Sequence, residues 1–508
     1  MIAKVFCAAL MGIDAFKVDL EVDLARQGMP AFTMVGLAEG AVKESKERVF
    51  SALKNSGYRL PPSRITVNLA PADIRKAGSA YDLPLAVSLL GAAGVVEQSV
   101  LEGWFLAGEL SLSGEVKPVH GILSLALEAR KKGAKGLIVC TANAHEAAVV
   151  EGLDVYGVSS LSQLVKFLIG EEVLEPTAVD TETLWAGRQN FGLDFAEVKG
   201  QEYAKRAIEI GAAGNHNILF IGPPGSGKTM LAQRIPTVLP PLVFEEALEV
   251  TKIYSVSGQL DRDKALMVIR PFRSPHHTIS DAGMIGGGAY PKPGEVSLAH
   301  RGVLFLDELP EFKKNVLEVL RQPLEGGEVT ISRAAMSLSY PADFMLVAAM
   351  NPCPCGYFTD ERHACTCTPV AVRRYTSRLS GPLLDRIDLQ IEVPAVDYKD
   401  LRGNKGLDSA TMRGNIERVR AVQTERYKDL EILTNSELSG SSLEKFCKLT
   451  DTEHAFLEQA VRSLGLSARA YTRILRIART IADLGGDESL KVAHLAEAIN
   501  YRSMDRQG

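Results

Sequence analysis

The sequence predicts an α/β protein built around a central domain with a buried parallel sheet. Three observations support this fold class. A short apolar run at 218–221 leads directly into a glycine-rich loop, and a second apolar run at 302–306 ends in two acids. The residues from Thr411 to Arg502 have helical composition throughout. Buried parallel strands that alternate with helices, followed by a helical extension, account for all three observations.

We expect an α+β domain at 1–170, an acidic linker at 171–190, the central domain at 191–400 and a helical domain at 401–508. The linker begins with EEVLEPTAVDTE, which carries five acids and no lysine or arginine. Such a segment is typical of a solvated boundary between domains.

Composition describes an ordinary globular chain of 508 residues, with 46% apolar and 23% charged residues. The net charge of −5 means that any nucleic-acid site has to be a local basic patch. The N-terminus lacks a signal-peptide pattern, and the apolar run 83–96 is too short to span a bilayer. We therefore expect a cytoplasmic protein that does not engage a membrane.

The first domain contains segments with the two-residue period of strands and segments with the 3.6-residue period of helices. Lys4 to Leu24 alternates apolar and polar residues, as strands do, whereas Gly40 to Ser56 has the spacing of an amphipathic helix. Further strands are expected at 64–69, 103–112 and 136–140, and further helices at 81–96 and 122–132.

The central loop fits the phosphate-binding pattern G-x-x-x-x-G-K-[ST] completely, between a strand and a helix. Its backbone N–H groups and the helix N-terminus are expected to face phosphate oxygens. Lys228 should reach the β- and γ-phosphates of ATP, and the Thr229 hydroxyl should bind Mg²⁺. The predicted ATP-binding residues of the loop are Gly222, Pro223, Pro224, Gly225, Ser226, Gly227, Lys228 and Thr229.

Two more apolar strands end in polar side chains. Asp307 is expected to hold Mg²⁺, and Glu308 to act as the general base toward water. Asn351 follows the strand 343–350, where a carboxamide can orient that water. Because ligands gather at the carboxyl ends of such strands, the three strand ends should meet at one site.

Four of the seven cysteines form two C-x-C pairs separated by nine residues. Pairs this close suit tetrahedral Zn²⁺ coordination by thiolates. Two alternatives stay open, namely metal-free thiols on a loop and zinc or another soft metal bound by Cys353, Cys355, Cys365 and Cys367.

The phosphate loop, RPFRSPHHTISDAGMIGGG at 270–288 and PGEVSLAHRGVLFLDELPEF at 293–312 closely resemble the magnesium chelatase-like AAA+ family called YifB or ComM. The resemblance covers nearly the whole chain. It implies a hexameric DNA-dependent ATPase that uses ATP and Mg²⁺. For ComM it implies a helicase that drives branch migration during natural transformation.

The same resemblance assigns roles to further residues. Gly200 and Gln201 open the segment that lies against adenine in AAA+ ATPases. Arg386 corresponds to the arginine that reaches a neighbouring subunit's γ-phosphate, although it is also placed to pair with acids beside it. Arg469, or otherwise Arg473, would sense nucleotide from the helical lid. Arg462 and Arg479 are expected to be solvated.

DNA contacts are expected in two inserts. The first, at 270–300, offers Arg270 and Arg273, and the second is a predicted β-hairpin at 326–340 that offers Arg333. Contacts with the phosphate backbone need only positive charge, so we expect binding without sequence specificity. A metal site at the pair His276–His277 is disfavoured because no third ligand lies nearby in the sequence.

The first domain resembles the catalytic domain of Lon protease at 76–90 and 114–135. At the positions of that family's serine and lysine this chain has Ala80 and Leu125, so we predict the fold without the peptidase chemistry. Three functions are weighed: a DNA motor, which is favoured, a motor for metal insertion into a porphyrin, and a peptidase or passive binding module.

Overall fold

The computed structural model describes residues 2–26, 29–187, 191–261, 264–288, 291–333, 336–358, 360, 362–396 and 406–502. It confirms a mixed α/β fold with a parallel sheet and a helical C-terminal region. Within these ranges, no helix is both long enough and apolar enough to cross a membrane.

The described residues of the N-terminal part form nine strands and seven helices, which include every element predicted there. The strands are β1 (Ile2–Met11), β2 (Asp14–Ala25), β3 (Ala31–Val35), β4 (Arg64–Ala70), β5 (Trp104–Leu106), β6 (Glu109–Leu110), β7 (Val116–Lys117), β8 (Gly136–Cys140) and β9 (Val155–Val158). The helices are α1 (Gly40–Asn55), α2 (Asp82–Ala93), α3 (Gln98–Leu101), α4 (Ile122–Lys131), α5 (Thr141–Ala148), α6 (Leu161–Leu168) and α7 (Thr181–Ala186).

The central part alternates helices with mostly short strands. Its helices are α8 (Glu202–Gly214), α9 (Lys228–Arg234), α10 (Phe244–Ser257), α11 (Asp281–Ile285), α12 (Glu295–Leu298), α13 (Lys314–Val319), α14 (Arg321–Gly326), α15 (Pro369–Thr376) and α16 (Gly381–Leu384). Its strands are β10 (Ile218–Ile221), β11 (Phe272–Arg273), β12 (Gly286–Gly287), β13 (Lys292–Pro293), β14 (Val303–Leu306), β15 (Glu328–Arg333), β16 (Met336–Pro341), β17 (Met345–Met350) and β18 (Leu389–Glu392).

The C-terminal part is helical, as predicted. Its helices are α17 (Ser409–Tyr427), α18 (Gly440–Phe446), α19 (Asp451–Leu464), α20 (Ala468–Gly485) and α21 (Val492–Asn500).

The chain forms two compact units. The first, 1–187 with 244–268, contains a seven-stranded mixed sheet in the order β3-β4-β2-β1-β5-β8-β9. Along β5, Phe105 packs in one apolar cluster, whereas Trp104 and Leu106 pack in the other. Because successive strand residues face opposite sides, both faces of this sheet are buried, one under α1 and α2 and the other under α4 and α5.

The segment Phe244–Val268 joins the first unit, although its position in the sequence lies within the predicted central domain. Its helix α10 packs on α4, where Leu248 contacts the apolar cluster. Lys252 Nζ lies 2.5 Å from Asp14 Oδ1, and Ser255 donates a hydrogen bond to Glu146. The predicted boundaries at 190/191 and 400/401 involve residues outside the ranges that the structure describes.

The second unit contains a five-stranded sheet in the order β11-β14-β17-β10-β18, and all its pairings are parallel. Phe220, Phe305 and Val347 are fully buried in its core. Such continuous apolar runs are expected of parallel strands that are covered on both faces. Consequently β14, β17 and β10 end side by side at one edge of the sheet.

Helix α20 corrects one prediction. Its buried face includes Ile474, Ile477 and Ile481. Arg462 is solvated, as expected, with its side chain 79% exposed. Arg479 is instead only 2% exposed, because Asp483 one turn later pairs with its guanidinium at 2.9 Å and the Glu488 carbonyl accepts a hydrogen bond from it at 2.7 Å.

Candidate functional site

The phosphate loop joins β10 to α9 with glycines where the backbone requires them. Gly225 and Gly227 have φ angles of 76° and 90°, a region that side chains other than glycine rarely adopt. Lys228 follows as the first residue of α9 and is 8% exposed. The loop therefore shields most of the Lys228 side chain from solvent.

The Lys228 ammonium donates hydrogen bonds to the carbonyls of Gly222 at 2.7 Å and Pro223 at 2.9 Å. It also lies 3.3 Å from Oδ1 of Asn351 at the end of β17. Burial lowers the pKa of Lys228, and the charge of Asp307 opposes that shift. The ammonium thus lies in a polar pocket between two strand ends.

A second contact joins the loop to the end of β14. The Thr229 hydroxyl donates a 2.7 Å hydrogen bond to Oδ2 of Asp307. The other oxygen of Asp307 accepts a 2.9 Å hydrogen bond from the backbone N–H of Glu308, which has a φ of 52°. A hydroxyl and a carboxylate at this distance are oxygen donors of the kind that Mg²⁺ prefers, so this pair is able to hold the ion.

The structure brings one residue to this site that the sequence prediction missed. His277 Nδ1 lies 3.5 Å from Oε2 of Glu308, and its ring packs edge-on against Phe312. The pair of histidines was visible in the sequence, but its spacing carried no sign that either ring would reach an acid some thirty residues later.

The predicted adenine-side residues lie against the back of the loop. Gly200 and Gln201 both have positive φ angles, of 64° and 61°, and they precede α8. The Gln201 amide donates to the carbonyls of Ser226 at 3.3 Å and Pro394 at 2.8 Å. These bonds connect the loop to the segment that follows β18.

Arg386 belongs to a different cluster from the loop residues. Its guanidinium pairs with Glu325 and donates to the carbonyl of Pro382. Its Nε is buried without a hydrogen-bond partner among the described residues. Burial and the nearby charges of Arg321 and Arg469 lower the pKa of Arg386.

Both candidate lid arginines join this second cluster through acids that flank Arg386. Arg469 is 71% exposed and donates to Asp385 Oδ2 at 2.7 Å. Arg473 is buried and lies 3.6 Å from both Asp385 and Asp388. Burial would raise the pKa of Asp388, but the hydrogen bond from His216 and the charge of Arg473 outweigh it and lower that pKa.

The four cysteines come together as the spacing predicted. Their sulfur atoms all lie within 4.8 Å of one another, and the Cys353 sulfur is 3.3 Å from that of Cys355 and 3.7 Å from that of Cys365. Zinc–thiolate bonds of about 2.3 Å would place tetrahedral sulfurs about 3.8 Å apart, close to these values. The N–H groups of Tyr357 and Thr366 lower the pKa of Cys355 to about 5, whereas the opposing effect of the Cys367 N–H is outweighed by burial and the hydrogen bonds with Cys355 and Cys353, which raise the pKa of Cys365 to about 12.

Two of the candidate DNA-binding arginines make contacts within the chain. Arg270 donates to the carbonyls of Pro240 and Arg301, and Arg273 forms a two-pronged pair with Glu295 at 2.6 and 2.7 Å. Their contacts with DNA phosphates stay a prediction. Arg333 ends strand β15 of the predicted hairpin, and its side chain lies outside the part that the structure describes.

The first unit has no serine–lysine pair at the positions that the Lon-like alignment indicated. Leu125 is buried in the core under α4. The neighbouring Ser79 donates its hydroxyl hydrogen bond to Glu109, and the buried Lys76 donates to the carbonyl of Pro71. Neither contact is the serine–lysine pair of that family.

Comparison with known proteins matches this chain to one family over three segments. The family models are described as magnesium chelatase subunit ChlI at 194–401, subunit ChlI of Mg-chelatase at 20–143 and the ChlI C-terminal region at 406–502.

Among similar proteins, competence protein ComM of Haemophilus influenzae is 46% identical over 99% of this chain and 98% of its own length. YifB of Escherichia coli is 44% identical over 98% and 96%. The magnesium-chelatase 38 kDa subunit of Acidiphilium rubrum is 27% identical over 40% of this chain and 52% of its own. The chain therefore belongs to the magnesium chelatase-like AAA+ family that includes ComM and YifB.

Proposed function

We propose that the protein is a ring-forming ATPase that hydrolyses ATP with Mg²⁺ and uses the energy to move along DNA or remodel it. The observation that carries the proposal is the convergence of Lys228, Thr229, Asp307 and Asn351 at neighbouring strand ends. These residues supply a cation, two oxygen ligands and an amide, which are the groups that phosphoryl transfer needs.

In the proposed reaction, the Lys228 ammonium exchanges its carbonyl partners for the β- and γ-phosphate oxygens of ATP. Thr229 and Asp307 hold Mg²⁺, which neutralises charge that develops on the phosphates. Gly200 and Gln201 face the adenine side. Each exchange replaces a neutral acceptor with a charged one, so binding gains from stronger hydrogen bonds.

Glu308 accepts the proton of the attacking water, and Asn351 orients that water from the neighbouring strand. The position of Glu308 supports the assignment, because its backbone N–H donates to Asp307 and its carboxylate therefore adjoins the proposed magnesium ligands. His277 Nδ1 lies 3.5 Å from that carboxylate.

Arg386 would act on ATP that is bound by a neighbouring subunit, in a ring that we propose to be a hexamer. Its partners Glu325 and Pro382 belong to a cluster separate from the phosphate loop, which supports a role in trans. Arg469 and Arg473 both pair with Asp385, which precedes Arg386 in the sequence. A movement of the helical lid would therefore change the surroundings of Arg386. An arginine supplied in this way stabilises transition-state charge.

DNA would contact the hairpin β15–β16 through Arg333. The hairpin buries Val329, Ile331 and Tyr340 on one face, while hydroxyl pairs such as Thr330–Ser339 line the other. A hairpin with one face buried in this way would keep its tip in a fixed position against a phosphate backbone. The name of the Haemophilus relative, a competence protein, agrees with work on DNA.

We also propose the domain division given by the sequence, with a Lon-like first domain that lacks peptidase activity. The replacement of the serine and lysine by Ala80 and Leu125 supports the loss of activity. The cysteine cluster would bind one Zn²⁺ per chain, supported by its sulfur distances.

A motor for metal insertion into a porphyrin is the second candidate, because the family models carry the name of magnesium chelatase. Full-length similarity to ComM and YifB, against partial similarity to the 38 kDa chelatase subunit, favours the DNA motor.

Displacement of a labelled strand from a forked DNA duplex tests the proposal of a DNA motor. We expect displacement that needs ATP and is lost in Glu308→Gln, whereas ATP turnover without any displacement would contradict it.

A further inference from the structure

The cysteine cluster continues directly from the nucleotide site. Strand β17 ends at Met350, and the next residue, Asn351, contacts the Lys228 ammonium at 3.3 Å. Cys353, two residues further on, is fully buried and contributes to the sulfur cluster. A metal bound by Cys353 would therefore restrict the position of Asn351 through a very short length of backbone.

A second contact joins the cluster to the phosphate loop itself. Gly356 follows Cys355, has a φ of 88° and donates a 3.0 Å hydrogen bond to the carbonyl of Cys353. A Cβ placed on Gly356 would lie 2.6 Å from Cδ and 2.9 Å from Cγ of Pro224. The backbone of the cysteine segment thus packs directly on the proline ring, at a distance that only glycine permits.

The far end of the cluster is also attached near the catalytic acids. Thr368 follows Cys367 and caps α15, and just beyond that helix Arg378 donates a 2.7 Å hydrogen bond to Glu311. Glu311 lies three residues after Glu308. The loop from Cys353 to Cys367 is therefore anchored at Asn351, at Pro224 and, through α15, at the segment that follows Glu308.

We propose that the metal-bound cysteine cluster is a brace that holds the phosphate loop in its ATP-binding shape, so that loss of the metal lowers the affinity for ATP. The inference rests on the proposed ATP and zinc sites and adds an energetic link between them. The metal takes no part in the chemistry, because its ligands act only through Asn351 and Pro224.

The first test removes two ligands with Cys365→Ser and Cys367→Ser in the full-length protein. These changes leave Cys353, Asn351 and Gly356 intact. Zinc content by elemental analysis is compared with the Kd of a fluorescent ATP analogue in the presence of Mg²⁺. We expect zinc to fall from about one per chain to none and binding to weaken about tenfold, which corresponds to the loss of about one hydrogen bond between the loop and a charged phosphate.

The second test keeps the metal and disturbs only the contact. Gly356→Ala should retain zinc and still bind the analogue more weakly, because the new methyl group pushes Pro224. Gly57→Ala is the matched control, with a φ of 90° and no atom within 4 Å of its added Cβ. Pro224→Ala removes the two atoms that the methyl group meets, so the double variant Gly356→Ala/Pro224→Ala should bind better than the product of the two single effects predicts.

The outcomes separate the inference from the proposals on which it rests. Zinc that is present in the wild type, together with unchanged nucleotide affinity after its loss, would overturn the brace and leave the zinc site standing. Wild-type protein that contains no zinc would overturn both. Because the readout is binding, a failure of hydrolysis or of DNA movement does not affect the result.

Discussion

The ammonium of Lys228 shows how single residues define this site. It donates hydrogen bonds to two loop carbonyls and lies 3.3 Å from Asn351 Oδ1, so neutral oxygen atoms surround the charge. The Thr229–Asp307 hydrogen bond places the two predicted magnesium ligands next to each other. Two short contacts thus connect the phosphate loop to the ends of two neighbouring strands.

We expect Lys228→Ala to weaken ATP binding about 10- to 100-fold, because a hydrogen bond to a charged group contributes about 1.5–3 kcal/mol. Titration with a fluorescent ATP analogue measures this effect, with the exposed Lys314→Ala as control.

Glu308→Gln should bind ATP normally and hydrolyse it about 10²- to 10⁴-fold more slowly, since general-base catalysis contributes that much. Single-turnover hydrolysis measures this effect, again with Lys314→Ala as control. Wild-type turnover by Glu308→Gln would remove it as the base.

At this scale the sequence was informative where a motif fixes the local backbone. The sequence predicted the positions of the phosphate loop, Asp307 and Asn351, because each directly follows an apolar strand. The contacts of Lys228 and Thr229 agree with the expected meeting of these strand ends at one site. The position of His277 depends on how a long insert folds back over the sheet, which no local pattern encodes. The sequence likewise carried no sign of the partners of Arg270 and Arg273, because these are carbonyls and an acid that are distant in the chain.

At the scale of elements, α17 and α20 are joined by a buried ionic network. Asp483 accepts from Arg426 through both carboxylate oxygens, at 2.6 and 2.8 Å, and pairs with Arg479 at 2.9 Å. The Asn435 amide donates to the same carboxylate at 2.9 Å. The carboxylate of Asp483 therefore lies against the positive charges of both Arg426 and Arg479 inside the helical region.

Asp483→Ala should destabilise this helical region by about 3–5 kcal/mol, because it leaves buried guanidinium groups without their counter-ion. Hydrogen exchange measured by mass spectrometry on peptides of α17 and α20 reports the loss locally. The matched control is Glu458→Ala, which removes the partner of the exposed Arg462 and should cost less than about 1 kcal/mol. Equal protection in the two variants would contradict the proposed importance of the network.

The hairpin β15–β16 is the element proposed to touch DNA. Arg333→Ala should weaken binding about equally for unrelated DNA sequences and lower the salt slope by about one unit, since one phosphate contact is lost. Basal hydrolysis should stay close to wild type. Fluorescence anisotropy over a salt series measures this, with Arg462→Ala as a control of equal charge. An unchanged slope would show that the path of DNA lies elsewhere.

Element boundaries followed the sequence closely where the periodicity was strong. The helix expected at 40–56 is observed as Gly40–Asn55, and the strand expected at 64–69 as Arg64–Ala70. The attachment of α10 to the first unit was not predictable, because it depends on packing against α4 across a large sequence separation. The burial of Arg479 has a local origin instead, since its partners come from the end of its own helix and the loop beyond.

At the scale of the whole molecule, the proposal needs more than one copy of the chain. Arg386→Ala should bind ATP normally and lower hydrolysis about 10³-fold, as expected for an arginine that stabilises transition-state charge in trans. Mixing it with Lys228→Ala should restore part of the activity, because an intact loop and an intact arginine then meet at one interface. Mixed assemblies that form and stay inactive would count against a shared site.

The central claim, a motor that is driven by ATP and acts on DNA, is tested most directly by steady-state ATPase rates with and without single-stranded and forked DNA. We predict a rate that rises when DNA is added, saturates with DNA concentration and loses this response as salt increases. Arg333→Ala should keep the basal rate and lose the rise, and Lys228→Ala should be inactive throughout. A wild-type rate that is the same with every DNA at low salt would contradict the account.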